Sequence, residues 1–495
     1  PMPFVDRYGQ YKHADWPGKL RDDADIIARR DAEERDLSAA PQLPGRNRFG
    51  GWADGPQLES TGWFRAEQVD GRWWLVDPDG RLFFSVGVDC VGTWEHTFIE
   101  GRQEWFEWLP KPEGPYEDFF GHQSNVHSMA EKIGGQGRTF NWYAANLYRK
   151  YGDDWRRRWR EVSAQRLRAW GFNTIGNWSQ DDVIALKALP YTATAGVTGD
   201  FREVEGGRGY WGRMKDPYDL RFADAADASI ARAARKHADD PFCIGYFVDN
   251  ELSWGSPSGH DIAVWALASP ADQPCRIAFV DSLKAKYADL DGLNRAWATN
   301  ADDWDSLRAP ARPNEACAAD MDAFIYAFAR RYFDAVKAAI DRHAPNQLYL
   351  GCRFAGKPCD AVVRACAEVA DVVSVNLYQR AVDGAQWIAL GKPILIGEFH
   401  FGALDRGHFH TGLVPTRNQQ ERAESYIRYV RSVADCPAFV GCHWFQYVDD
   451  PLTGRTYDGE NYNIGFVTVT DTPYPEMVEA AKTVHAEVYE RRHGR

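Results

Sequence analysis

The chain has 495 residues and a formal net charge of −13, so it has no general attraction for the phosphates of nucleic acids. Hydrophobic residues make up 44% and charged residues 26%, which is enough for a sizeable core, and no apolar run is long enough to span a membrane. We therefore expect neither nucleic acid nor membrane as a partner, and a neutral or weakly charged substrate fits better.

Aromatic side chains reach 14% of the chain, with 20 Trp and 22 Tyr. Sugar rings stack their apolar faces on indole, so this excess is compatible with carbohydrate binding, but a large barrel core would use the same side chains equally well. The nine cysteines contain no CxxC pair, so we expect neither a disulfide framework nor a zinc cluster. No signal peptide is visible, which favours a cytoplasmic or periplasmic protein over a disulfide-dependent extracellular one.

Residues 1–60 are polar and rich in Pro and Gly, and they predict an extension with one helix over residues 22–34. Two strand-like runs follow, at residues 63–68 and 72–76, joined by an Asp70-Gly71 turn. This hairpin could close the N-terminal end of a barrel. We expect an extension, residues 1–60, packed on a catalytic domain of residues 61–495.

Short apolar runs then alternate with long helical stretches, a pattern typical of parallel βα units. Eight such runs close naturally into an α/β fold of the (β/α)8 barrel type. The runs are residues 82–90, 173–178, 191–197, 243–250, 348–354, 372–378, 394–399 and 439–447, with helices expected at residues 154–170, 224–237, 320–343, 418–433 and 475–491.

Two connections, residues 91–153 and 198–223, are too long for simple βα loops. Barrel active sites lie at the carboxyl ends of the strands, where such loops build the cleft. Their aromatic side chains are candidate walls of sugar subsites, although they could simply pack on each other. These residues are Trp94, Trp105, Trp108, Trp142, Tyr143, Tyr210 and Trp211.

Two glutamates end apolar runs: Glu251 follows the fourth and Glu398 closes the seventh. A carboxyl group at the tip of a buried barrel strand points to the mouth, because isolated burial would be costly. Two of them facing each other across one rim suit glycosidic bond cleavage, with one carboxyl as proton donor and the other as nucleophile. Spacing alone leaves both a retaining and an inverting separation open.

The Asn250-Glu251 pair followed by Glu398 is similar to clan A glycoside hydrolases, which implies that Glu251 is the general acid/base and Glu398 the nucleophile. Together with further motifs, the chain resembles glycoside hydrolase family 50, the β-agarases, over nearly its whole length. The resemblance implies exo-acting cleavage of β-1,4 linkages in agarose, with retention and release of neoagarobiose. The motifs are YGQYKH at 8–13, WPGK at 16–19, DGRWWLVDP at 70–78, GEFHFGA at 397–403, HWFQY at 443–447 and DGENY at 458–462.

Members of that family commonly carry an additional N-terminal carbohydrate-binding domain, whereas about 60 residues precede the hairpin here. Soluble oligosaccharides or another β-galactoside therefore become more credible substrates than a gelled polymer. Two alternatives stay open: a clan A β-galactosidase-like enzyme or other polysaccharide hydrolase of different specificity, and a non-catalytic barrel that only binds sugar.

Further residues are expected to serve this site. Asn250 resembles the clan residue that binds the sugar 2-hydroxyl, and Tyr378 would hold the nucleophile. Arg353 could keep Glu398 ionised or form a purely structural salt bridge, and Trp444 resembles the aromatic floor of the subsite for the cleaved sugar. Binding of sugar hydroxyls is expected of Asp89, Asn177, His400, His443, Gln446 and Glu460.

Four histidines, His400, His408, His410 and His443, lie around the last two strands, which raises the question of a metal. Their spacing matches no common zinc pattern. We therefore expect no metal and no cofactor, and we expect an oligosaccharide or polysaccharide substrate.

Overall fold

The computed structural model describes residues 1–124, 126–127, 130–131 and 134–494. In chain order, strands β1 to β15 are Arg65–Val69, Arg72–Val76, Leu82–Phe83, Ser85–Val88, Thr97–Phe98, Phe120–Gln123, Gly137–Phe140, Thr174–Ile175, Tyr191–Ala195, Cys243–Val248, Leu348–Tyr349, Phe354–Ala355, Val373–Asn376, Ile394–Phe399 and Phe439–Trp444. Helices α1 to α13 are Asp23–Ala39, Trp142–Tyr151, Trp155–Ala169, Asp181–Ile184, Arg221–His237, Asp261–Ala268, Pro274–Tyr287, Leu290–Trp297, Glu315–His343, Asp360–Val369, Ala385–Ile388, Gln419–Asp435 and Pro475–His493. None of the helices in these ranges is long and apolar enough to cross a bilayer.

The largest sheet is parallel, in the order β11-β10-β9-β8-β4-β15-β14-β13-β12. Its two end strands are halves of one barrel strand, interrupted where Gly351 and Arg353 adopt positive φ of 81° and 53°. Backbone hydrogen bonds continue across the interruption, since Leu350 donates to Tyr246 and Val372 donates to Tyr349. The ring therefore closes, and the predicted (β/α)8 barrel is confirmed.

An antiparallel sheet, β1-β2-β3, covers the N-terminal end of the barrel. Its buried side chains Leu75 and Phe83, together with Phe64 just before β1, form one cluster with residues at the starts of the barrel strands, among them Ile244 and Leu395. Apolar surface removed from water on both sides stabilises this contact. The hairpin expected from the sequence thus lies where it keeps the lower end of the barrel dry.

Helix α1 is joined to the barrel by a buried ion-pair cluster. Asp471 accepts hydrogen bonds from Arg166 at 2.7 Å and from Lys150 at 2.8 Å, and the same two cations contact Glu33 of α1. The side chains of Arg166, Lys150 and Asp471 are at most 2% exposed. The cluster therefore connects the N-terminal region, helices α2 and α3, and the segment that precedes α13.

We expect Asp471→Asn to destabilise the protein by about 3–5 kcal/mol, because it leaves two buried cations with one carboxylate. The shift of the urea unfolding midpoint, measured by tryptophan fluorescence, checks this value. The exposed Asp302 is a matched control, and Asp302→Asn should leave the midpoint unchanged. Equal midpoints for both variants would show that the cluster contributes little.

Candidate active site

A cavity of about 1570 Å³ opens at the carboxyl ends of the barrel strands. It exceeds the roughly 300–1,000 Å³ of sites for drug-sized ligands, so it has room for an oligomeric ligand. Of the predicted catalytic and sugar-binding residues, seven lie on its wall: Asn250, Glu251, Tyr378, Glu398, His400, Gln446 and Glu460. Five other residues predicted to serve the site do not line the cavity: Asp89, Asn177, Arg353, His443 and Trp444.

Glu398 lies on β14 and is 5% exposed. Its Oε1 accepts a hydrogen bond from Arg353 Nη2 at 2.6 Å, and its Oε2 accepts one from the Tyr378 hydroxyl at 2.5 Å. Both oxygens of the carboxylate therefore accept a hydrogen bond, one of them from a cation. The two hydrogen bonds thus fix the orientation of the carboxylate, which lies on the cavity wall.

Glu251 lies three residues after the end of β10, with a positive φ of 50°. Its Oε1 accepts a hydrogen bond from Asn376 Nδ2 at 2.8 Å, and its Oε2 accepts one from Trp211 Nε1 at 2.7 Å. Burial raises the pKa of Glu251 to about 7, the negative charge of Glu398 adds to the rise, and these two hydrogen bonds oppose it. A carboxyl group with this pKa holds a proton in a large fraction of molecules at neutral pH.

Arg353 connects the site to the barrel interior. Besides Glu398, its guanidinium donates to Asn250 Oδ1 at 2.8 Å and to Asp89 Oδ2 at 2.9 Å. It also stacks on the rings of Trp178 and Phe247, at 4.7 and 4.9 Å. Since Asn250 Oδ1 is taken up by this contact, the group that Asn250 can offer a ligand is its amide donor.

Asp89 and Asn177 lie beneath the cavity wall and not on it, and both are fully buried. Asp89 pairs with Arg353 and accepts a hydrogen bond from the Asn177 backbone at 3.0 Å. The expectation that they contact sugar hydroxyls therefore needs correction. Asp89 instead holds Arg353, and Asn177 holds Asp89. Arg353 in turn contacts the site residues Glu398 and Asn250.

His400 lies on the wall, but both of its ring nitrogens are in use. Nδ1 lies 3.1 Å from the Phe445 carbonyl, and Nε2 accepts a hydrogen bond from the Leu413 amide at 2.8 Å. Burial lowers the pKa of His400 to about 3, so the ring is neutral, with its proton on Nδ1. His400 therefore has no free ring nitrogen for the expected contact with a sugar hydroxyl. Instead its ring packs against Tyr378, with the ring centroids 4.6 Å apart, and supports that side chain.

His443 is fully buried and its Nε2 lies 2.8 Å from the Ser85 hydroxyl, inside the barrel. Its ring does not line the cavity, so the expectation that His443 binds a sugar hydroxyl is also corrected. Burial lowers the pKa of His443 to about 3. A neutral imidazole suits a position close to the cation Arg353.

Trp444 does not form the floor of the cavity. It is fully buried between Phe399, Phe401, Tyr426 and Phe466, and its Nε1 donates to the Ile464 carbonyl at 2.7 Å. Successive side chains of a strand point to opposite faces, so its neighbour Phe445 points to the other side and lines the cavity. The aromatic residue expected at this position is thus one residue further along the chain.

The loop after β15 carries Gln446 and Glu460 onto the wall. Glu460 forms an ion pair with Arg455 at 2.9 Å, and Gln446 donates to Asp450 at 3.0 Å. Burial raises the pKa of Glu460 to about 7. These side chains are available to sugar hydroxyls together with Glu95, which lines the same cavity and was not singled out in the sequence.

The aromatic residues of the two long connections divide into two groups. Trp94 and Trp211 line the cavity, and Tyr210 lies beside Trp211, with its ring 4.8 Å away. Trp142 and Tyr143 belong to the buried core of α2, and Trp105 and Trp108 pack on the core, so none of these four forms a subsite wall as expected.

Asn376 was missed entirely, although it ends an apolar strand as Glu251 and Glu398 do. Neutral amides at strand tips carry a weaker signal than carboxyl groups, because they are easily accommodated at a rim. Among the described residues, no group of three or more His, Cys, Asp or Glu side chains could hold a metal ion.

Several known proteins are similar to this chain. Beta-agarase B of Vibrio sp. (strain JT0107) is 37% identical over 98% of the chain, and Beta-agarase A of the same strain is 36% identical over 98%. The chain spans about half the length of these two proteins, 54% and 52%. A family model described as beta-galactosidase, Glyco_hydro_42, matches residues 203–390.

Two solved structures are similar over nearly the full chain. A structure described as an exo-beta-agarase superposes with a TM-score of 0.95 at 38% identity, covering 100% of this chain and 74% of the other. A crystal structure of an agarase gives a TM-score of 0.92 at 38% identity, covering 99% of this chain and 74% of the other.

Proposed function

The chain belongs to the β-agarase family, and on that premise we propose that it is an exo-acting, retaining hydrolase of β-galactosidic linkages in agarose-derived or related galactan oligosaccharides. Within the glycoside hydrolases we assign it to family 50, on the motifs around Glu398 and Trp444. One observation carries the proposal. Two carboxyl groups line one cavity in opposite electrostatic surroundings, one against a guanidinium and one among neutral donors.

In the proposed first step, the ionised Glu398 attacks the anomeric carbon while the protonated Glu251 transfers its proton to the glycosidic oxygen, which leaves as an alcohol. Forming the glycosyl ester removes the negative charge of Glu398. The pKa of Glu251 then falls, because one of the causes of its rise is gone. Glu251 is thereby ready to take a proton from the water that hydrolyses the ester, so one residue serves as acid and then as base.

Three neighbours support these roles. Tyr378 and Arg353 each donate to one oxygen of Glu398 and so fix its orientation on the cavity wall. The amide of Asn250 is placed to donate to the 2-hydroxyl of the sugar being cleaved, a contact that strengthens in the transition state. Neutral donors from Asn376 and Trp211 orient Glu251 without adding a charge.

Exo action is supported by an aromatic cluster that joins three loops beside Glu251. The ring of His127 lies 4.8 Å from Trp211 and 6.3 Å from Tyr457, and Trp211 stacks near Tyr457 at 6.1 Å. Since Trp211 also donates to Glu251, these loops meet at the catalytic carboxyl group. A cleft bridged at this point favours entry of a chain end over binding of a chain interior.

The decisive experiment is incubation with neoagarotetraose, neoagarohexaose and agarose, with products followed by mass spectrometry and by proton NMR. We expect a disaccharide to be the main product from the earliest time point onward, released initially as the β-anomer. A range of product sizes from the start would contradict exo action, and an α-anomer would contradict retention.

The match of residues 203–390 to the beta-galactosidase model favours one alternative, a β-galactosidase-like enzyme. Cleavage of nitrophenyl β-galactoside without any product from neoagaro-oligosaccharides would support it. A barrel that only binds sugar would instead show calorimetric binding and no product from either substrate.

We expect Trp211→Phe to shift the alkaline limb of the kcat/KM profile to higher pH. This limb reports the acid of the free enzyme, here Glu251, whose pKa is held down in part by the Trp211 hydrogen bond to its ionised form. Removing the donor raises the pKa, so the proton is retained to higher pH. Tyr210→Phe in the same loop is the control and should leave the limb in place, whereas a shift of the Trp211→Phe limb to lower pH would contradict the assignment.

A further inference from the structure

Arg455 lies at the centre of a group of carboxyl side chains on the side of the cavity built by the loops after β4 and β15. It contacts Asp458 at 2.7 Å, Glu460 at 2.9 Å and Asp450 at 3.7 Å. We call Arg455, Asp450, Asp458, Glu460 and Glu95 the Arg455 cluster. Glu95 is included because it lines the same cavity as Arg455 and Glu460, and the Arg455 charge lowers the pKa of its carboxyl group.

Within this cluster, Glu95 differs from the other carboxyl groups. Asp458 accepts two hydrogen bonds from Arg455, and Asp450 accepts one from Gln446 and one from the Tyr462 amide. Glu95 makes no hydrogen bond or ion pair with any described residue of the chain, although it is only 6% exposed. A buried carboxyl group without a partner is costly.

The small remaining surface of Glu95 faces the cavity, because the residue is on its wall. Burial raises the pKa of Glu95 to about 8, while Arg455 opposes and Asp449 and Asp458 add to the rise. At neutral pH the group therefore carries a proton and can both donate and accept a hydrogen bond. This combination matches a sugar hydroxyl, which is also donor and acceptor.

Glu95 lies in the loop after β4, whereas Glu251 follows β10 and Glu398 lies on β14. Its neighbour in sequence, Trp94, is 46% exposed on the same cavity wall and offers an indole face for stacking. The two side chains together are suited to a sugar unit adjacent to the one that is cleaved.

We propose that Glu95 is a specificity-determining residue that hydrogen-bonds a hydroxyl of the sugar unit adjacent to the cleaved unit, and that this position takes a neutral unit. The proposal rests on the proposed function for the location of the cleaved unit. A sulfate group there would bring a further negative charge near Asp450, Asp458 and Glu460, the three carboxyl groups that contact Arg455.

The test uses the full chain with the Glu398→Ala substitution, so that binding is read by calorimetry without turnover. We compare this protein with its Glu95→Ala and Glu95→Gln derivatives on neoagarotetraose. Loss of one hydrogen bond to the sugar should weaken binding about 10-fold in Glu95→Ala, and Glu95→Gln, which keeps a donor and an acceptor, should stay within about 3-fold. Glu113→Gln, an exposed position in the same connection, is the matched control and should show no change.

The same variants in the active protein separate a contact from a structural effect. We expect Glu95→Ala to raise KM for a nitrophenyl glycoside with two sugar units and to leave KM for nitrophenyl β-galactoside, with one unit, unchanged. A sulfated galactan oligosaccharide of the same length should bind the Glu398→Ala protein at least about 10-fold more weakly than the neutral one.

Equal affinity of the Glu95→Ala and parent proteins for neoagarotetraose would overturn the proposal, as would equal binding of the sulfated sugar or an equal rise of KM on both aryl glycosides. The proposed function fails on a different result, namely absence of turnover by the unmodified protein. Because the calorimetric comparison needs no turnover, the two failures are distinguishable.

Discussion

Replacement of Glu398 by alanine is expected to reduce turnover of neoagaro-oligosaccharides on the order of 10⁶-fold, the scale seen when a covalent hydrolase loses its nucleophile. Of the two groups that contact the carboxylate, Arg353 has no lone pair to offer the anomeric carbon, and burial raises the pKa of Tyr378, so its phenol stays protonated and is a poor nucleophile. Initial rates with neoagarotetraose measure the effect.

Azide gives the second readout. In Glu398→Ala the small anion can enter the space of the missing carboxylate and attack from the same face, with Glu251 still donating a proton to the leaving oxygen. The product is an α-galactosyl azide, detected by NMR. Glu424→Ala, at an exposed position of α12, is the control and should keep full activity. Full activity of Glu398→Ala would contradict the assignment of Glu398 as the nucleophile.

The barrel and the catalytic pair could be predicted from the sequence because both depend on local patterns. Buried parallel strands are continuous apolar runs, and a glutamate that ends such a run is a visible exception. All eight runs correspond to strands of the ring, although the fifth is divided at Gly351 and Arg353. Helices α6, α7 and α8 between β10 and α9 were not predicted, because they insert into a βα unit that already had its helix.

The environment of the pair could be predicted only in part. Trp444 was expected in the cavity and Phe445 is found there, a difference of one residue at the end of β15. The pairing of β14 with β15 contains irregularities near this end, between Ile396 and Phe399. Each shift changes which face a side chain points to, and the sequence of one strand does not specify them.

Long-range hydrogen bonding explains the remaining differences. His400 is used by the Leu413 amide and the Phe445 carbonyl, so a residue that looks available in the sequence is occupied in the fold. Conversely, Glu95 looks like an ordinary loop carboxylate, and its position beside Arg455 follows from the approach of two loops about 360 residues apart in sequence. Such contacts have no local signature.

Glu251→Ala is expected to affect two classes of substrate in different ways. With oligosaccharides the rate should fall by about 10²–10⁴-fold, because the departing sugar oxygen is a poor leaving group without a proton. With a nitrophenyl galactoside that the enzyme accepts, attack by Glu398 should still occur, since nitrophenolate leaves unprotonated. Hydrolysis of the ester then lacks its base, so a burst of nitrophenol should precede a slow steady state.

Azide again distinguishes the roles of the two glutamates, because the azide product of Glu251→Ala should have the anomeric configuration opposite to that of Glu398→Ala. In Glu251→Ala the anion attacks the glycosyl ester from the face opposite to Glu398, so the product is a β-galactosyl azide and the steady-state rate rises. The alkaline limb of the pH profile for the burst should also disappear, because Glu251, whose pKa burial raises to about 7, no longer titrates. An α-azide from this variant, or equal losses on both substrate classes, would require that the roles of Glu251 and Glu398 be exchanged or reassigned.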